Sequence, residues 1–106
     1  MKESQIKNEL VVKNELANLI TLVEHNRING GEQYIFDCGN GFGASVARHM
    51  FSYGGDSGLW ELLAIKFNSN GEFSPHYDNG ITNGDVLGYL EESEVMSILE
   101  KISRLS

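Results

Sequence analysis

Few side chains in this sequence have the types and spacing for chemistry: one cysteine, three histidines, and carboxylates and arginines near turns. Cys38 paired with His25, His49 or His76 would make a nucleophile and its base. No local context marks the thiol as one, however, and a lone cysteine at a strand end reads as core. His76 and Asp78 flank Tyr77 on a turn, where they would be two donors of a metal site. No third ligand follows at metal spacing, so neither a metal nor any other cofactor is expected. Arg48 and His49 close one strand segment and Glu61 lies in the next, so near-symmetric hairpin pairing would make arginine and carboxylate cross-strand neighbours. Arg48, His49, Glu61, His76 and Asp78 together would then form a polar site on the sheet, while an ordinary surface ion pair is the plainer reading. Gly39, Gly41 and Gly43 have a spacing that invites a phosphate-loop reading. The loop lacks the P-loop lysine and the third glycine of a dinucleotide fingerprint, and no strong helix follows, so the glycines are assigned to a hairpin. Tyr53, Trp60, Phe73 and Tyr77 form either an aromatic platform or part of the core. No catalytic residue is assigned.

These groups must be positioned by the run from Tyr34 to Phe67, which alternates β-branched and aromatic blocks with glycine-rich turns. Tyr34 to Cys38, Phe42 to Phe51 and Leu59 to Phe67 are expected strands of an antiparallel meander, with Asn40-Gly41 as the first tight turn. Taken alone, Ala44 to Phe51 also fits two helical turns. Leu59, Leu63, Ile65 and Phe67 alternate with Trp60, Leu62 and Ala64, both sets apolar, which places this strand inside the sheet. Glu72 to Tyr77 can pair beyond it as a short edge strand, since Pro75 cannot donate to a ladder.

Helical periodicity flanks the meander. From about Ser4 to Asn26, Leu16, Leu19, Ile20 and Val23 recur at i, i+3, i+4 and i+7, with Ile6, Leu10 and Val12 extending the stripe. Asn29-Gly30-Gly31 is expected to stop this helix. Asp85 to Leu90 is expected as a short helical turn leading into a second helix, whose face is Val95, Ile98, Leu99, Ile102 and Leu105. The 106 residues suit a single α+β domain, 1–106, of order α-β-β-β-(β)-α. The meander would be covered on one face by the N- and C-terminal helices. Its other face, holding Trp60, Leu62 and Met50, would be left open, a candidate for homodimer formation.

Charge narrows the partners. The formal net charge is −7, and between Phe67 and Glu100 lie Glu72, Asp78, Asp85, Glu91, Glu92, Glu94 and Glu100 with no lysine or arginine among them. Direct nucleic-acid binding requires a basic footprint and is not expected. A protein with a basic surface is the natural partner, with Asp85, Glu91, Glu92 and Glu94 as candidate contacts. Part of this charge has a structural use, because carboxylates favour the first turn of a helix. No apolar run approaches the roughly 20 residues of a membrane span, and the unpaired Cys38 suits a reducing cytoplasm.

The blocks N-G-F-G-A-S-V-A-R (Asn40 to Arg48), S-Y-G-G-D-S-G-L-W-E-L (Ser52 to Leu62) and D-V-L-G-Y-L (Asp85 to Leu90) resemble a group of small uncharacterised proteins of tailed bacteriophages and prophages. The resemblance runs from Tyr34 to the C-terminus. It carries no catalytic residues and implies an accessory gene product in the bacterial host cytoplasm, acting on a host system. Three functions follow as expectations. The first is a non-enzymatic interaction protein, such as a host-takeover or counter-defence inhibitor of the anti-CRISPR or anti-restriction kind, working through its acidic C-terminal third. The second is a small-ligand- or nucleotide-binding protein or hydrolase using the polar site, and the third a structural homo-oligomer.

Overall fold

The structure, a computed structural model, describes residues 20–105. The helix expected over positions 4–19 lies outside the described residues. Where the description begins, the chain is a strand: β1 (Thr21–Ile28) pairs antiparallel with β2 (Gly31–Asp37). The expected helix is therefore overturned from Thr21 to Asn26, for two local reasons. Asn29 and Gly30 have φ of 48° and 76°, the double-positive pattern of a two-residue hairpin turn, and Ile28 pairs directly with Gly31. The Asn-Gly read as a helix stop is a hairpin. The register also slips between Leu22 and Glu24, a bulge at Val23. A bulge breaks strand alternation. Leu22 before it and His25 after it sit opposite Phe36 and Tyr34 of the core side, while Val23, the last residue of the expected helical stripe, is the bulged residue and is 48% exposed.

The meander forms as expected from β2, β3 (Phe42–Arg48) and β4 (Trp60–Phe67), all antiparallel. Ala44 to Arg48 is strand, which overturns the helical alternative, but β3 stops short of Phe51. Turns and a short 3₁₀ segment, Gly55–Ser57, carry the chain across to β4. β4 is interior, with β3 on one side. Its other side is shared: β5 (Phe73–Pro75) pairs with Ile65, Lys66 and Phe67, and β6 (Leu87–Leu90) pairs with Trp60 and Leu62. β5 is the expected outer strand bearing Pro75. β6 replaces the helical turn expected from Asp85 to Leu90. Without it, the buried N-terminal half of β4 would leave backbone donors and acceptors unmet.

The expected C-terminal helix is α1 (Glu92–Ile102), with Val95, Ile98, Leu99 and Ile102 buried. It lies across the sheet face made by Tyr34, Phe36, Val46, Trp60, Leu62 and Ala64. Trp60 and Leu62 therefore belong to the helix-covered core, not to an open face, and Met50 sits in the loop after β3. The opposite face carries Ile35, Ser45, Ala47 and Ile65, all buried. The described chain is an α+β domain, mostly antiparallel sheet, and α1 is the one α-helix among the described residues.

Candidate functional site

Register decides where the candidate polar residues go. β2 and β3 pair symmetrically about Asn40, so Glu32 and Arg48, each eight residues from it, are opposite one another. Arg48 Nη2 donates to Glu32 Oε2 at 2.6 Å, and both side chains are more than four-fifths buried. The Arg48 guanidinium also lies 4.3 Å from the Trp60 ring centroid, a cation–π geometry. Tyr34 donates its hydroxyl to Glu32 Oε1 at 3.3 Å and stacks on His25 at 4.5 Å between ring centroids. The Trp60 Nε1–H is buried and meets no acceptor among the described residues. The result is a partly buried polar cluster of Glu32, Arg48, Tyr34, His25 and Trp60 at one end of the helix-covered face. Removing one partner of such a pair leaves the other charge poorly solvated, a cost of order 3 kcal/mol for a buried site. Glu32 was not among the sequence candidates, and Trp60 was one only as an aromatic residue. The signal for Glu32 was available in the equal distances of Glu32 and Arg48 from Asn40.

The expected Arg48–Glu61 neighbourhood does not form. Glu61 pairs with Ala47, which turns it to the opposite face from Arg48, and its Oε2 accepts from the Tyr53 backbone N–H at 3.4 Å. His49 is in the turn after β3, where its Nδ1 accepts from the Phe51 N–H at 3.1 Å. His76 lies just past β5 and stacks on Phe42 at 4.7 Å, at the far end of β3 from Arg48, roughly 20 Å away by strand rise. Asp78 is exposed beyond it. The structure thus joins Arg48 to new partners and disperses the remaining four. Among the described residues no group of three or more His, Cys, Asp and Glu is placed to hold a metal ion. Cys38 is enclosed beneath α1, and burial, followed by the adjacent Asp37 carboxylate, pushes its pKa up from 9.0 to about 12. A thiol held protonated in this way is a poor nucleophile. Of the aromatic candidates, Trp60 is core, while Tyr53, Phe73 and Tyr77 are exposed on separate loops and the outer strand.

The acidic residues fall into two groups. Glu91 is the N-cap of α1: its side chain accepts from the Glu94 backbone N–H, and Glu94 Oε1 accepts from the Glu91 N–H at 2.9 Å. This reciprocal capping box satisfies two otherwise orphaned donors. Both residues remain exposed, whereas Glu92 is half-buried with Oε2 enclosed. Asp85, exposed, accepts from the Val86 N–H at 2.7 Å. Beside the capping box runs a groove of about 420 Å³ between the β6 approach and α1, with Ile81, Leu87, Leu90 and Ile98 in its wall. Glu94, Ser93, Ser97 and Lys101 form its polar lining.

No helix among the described residues is long and apolar enough to cross a membrane. Comparison of the chain with protein-family models, with curated proteins and with solved structures found no match.

Proposed function

We propose that this is a non-enzymatic interaction protein that docks through an acidic surface on a basic surface of a partner protein. One observation carries the reading. The stretch from Asn68 to Glu100 holds seven carboxylates and no lysine or arginine, and five of them, Glu72, Asp78, Asp85, Glu91 and Glu94, are exposed. Carboxylates spread over one third of a chain without cations between them sum to a field that steers and orients a positive partner. Glu94 edges a groove lined by Ile81, Leu87, Leu90 and Ile98 together with Ser93, Ser97 and Lys101, which adds contact area beside the carboxylates. The dispersal of His49, Glu61, His76 and Asp78 speaks against the polar site that a small-ligand binder or hydrolase would use.

The resemblance to small phage and prophage proteins supplies the setting within this proposal: an accessory product in the bacterial host cytoplasm, acting on a host defence or control protein. The test uses the whole chain as bait in a bacterial lysate beside an Asp85→Asn/Glu91→Gln variant. Glutamine at position 91 keeps a side-chain acceptor for the helix cap, so α1 should be retained and the circular dichroism unchanged. The expected result is a basic protein retained by the original chain and reduced about tenfold with the variant. Equal retention by both would contradict the proposal.

A further inference from the structure

The loop following β3 carries three large exposed apolar residues: Met50, Phe51 and Tyr53, at 60%, 73% and 59% exposure. Tyr89 of β6, at 64%, is brought to the same place. The juxtaposition is built into the backbone. Tyr89 N–H donates to the Tyr53 carbonyl at 3.2 Å. A Cβ on Gly88 would lie 2.5 Å from the Tyr53 Cβ, and one on Gly54 would lie 2.9 Å from the Tyr89 Cα, so the two segments meet where only glycine fits.

Tyr89 is held there at a cost. Its φ is 56°, the left-handed region that a bulky side chain rarely enters and that persists only where surroundings impose it. At 64% exposure, the Tyr89 side chain gains little burial to offset that strain. Carboxylates accompany the aromatics. Asp56 is exposed in the same loop, and Glu61 Oε2 reaches the Tyr53 N–H at 3.4 Å. The nearest cation along the chain, Arg48, is engaged by Glu32 and lies over the buried Trp60.

We propose that Phe51, Tyr53 and Tyr89, with Asp56 and Glu61 beside them, form a docking surface for a cationic segment of a partner protein, its arginine side chains seated on the aromatic rings. Aromatic faces with carboxylates at their margin favour guanidinium over neutral or anionic side chains. The molecule already contains the same contact internally, between Arg48 and Trp60. This inference rests on the basic-partner reading above and adds to it an aromatic contact area next to the Glu91–Glu94 helix end, since Tyr89 precedes Glu91 by two residues.

The test is an NMR titration of the isotope-labelled full chain with a blocked hexa-arginine peptide, with hexaglutamate as the control. Hexa-arginine should shift the amides of Phe51, Tyr53 and Tyr89 selectively. Tyr89→Gly should weaken its binding about fivefold, without lowering the thermal midpoint, because glycine accepts the left-handed backbone. Tyr53→Ala, which keeps the Cβ that meets Gly88, should weaken binding similarly and checks the surface without altering Tyr89. Shifts confined to Glu91–Glu94, with both variants binding as the original does, would overturn this surface and leave the acidic docking reading standing. Failure of hexa-arginine to bind, or equal binding of hexaglutamate, would overturn both.

Discussion

Cys38 sits at the end of β2 with its Sγ 3.8 Å from the Leu99 carbonyl oxygen of α1, and its pKa is pushed up from 9.0 to about 12. Enclosure disfavours the thiolate, and Asp37 adds like-charge repulsion. Between pH 9 and 12 the unfolded chain has released this proton while the fold retains it, so the unfolded state binds fewer protons and stability falls as pH rises. Below pH 9 the full contribution is present. Denaturant unfolding from pH 8 upward should therefore show an alkaline loss of stability that is partly removed in Cys38→Ala, measured as the difference between the two proteins. Parallel pH profiles would contradict the enclosed thiol. Arg48 lies at the opposite pole of the same face. Its charge is placed by register against Glu32 and Trp60, which makes it a structural centre of the sheet end.

At the scale of elements, the loop between β2 and β3 does more than reverse the chain. Asn40 Nδ2 donates to the carbonyl oxygens of Ile102 and Leu105, at 2.8 and 2.9 Å, one at the last residue of α1 and one just beyond it, where carbonyls lack an intrahelical partner. One side chain thus ties the first hairpin to the last helix. Asn40→Ala should lower unfolding free energy by about 1–3 kcal/mol and speed amide exchange in the last turn of α1 more than in β3. Uniform acceleration, or none, would contradict that tie. The Asn-Gly signal was legible at this position as a turn, but its long-range partners were not, since nothing local announces a side chain 62 residues from its acceptor. The same dipeptide at Asn29-Gly30 suits a helix end as well as a hairpin, and the apolar spacing before it, Leu16, Leu19, Ile20 and Val23, is helical, so the hairpin there was not legible. β4 was the most legible element: apart from Glu61 and Lys66 its eight residues are apolar on both faces, which places it in the interior of the sheet. β6 was not legible, because its Gly88 and positive-φ Tyr89 spoil strand alternation, and its reason for existing lies in β4. Of the candidate polar residues, Arg48 pairs with Glu32 and not with Glu61, since Glu61 falls on the opposite face from it while symmetric pairing about Asn40 delivers Glu32.

For the whole molecule, the sheet and α1 hold the exposed carboxylates of the C-terminal third and the aromatic loop as neighbouring features of the surface, joined where Tyr89 precedes Glu91 by two residues. Glu91 and Glu94 serve both stability and the proposed docking, through the capping box in one case and through free charge in the other. This is why the variants that test docking keep a side-chain acceptor at the N-cap. The central claim is an electrostatic one, and ionic strength tests it most directly. With the retained partner purified, its affinity for this chain measured by calorimetry should fall at least tenfold between about 0.05 and about 0.3 M salt, as screening shortens the reach of the carboxylates. An affinity that stays level or rises across that range would contradict the claim.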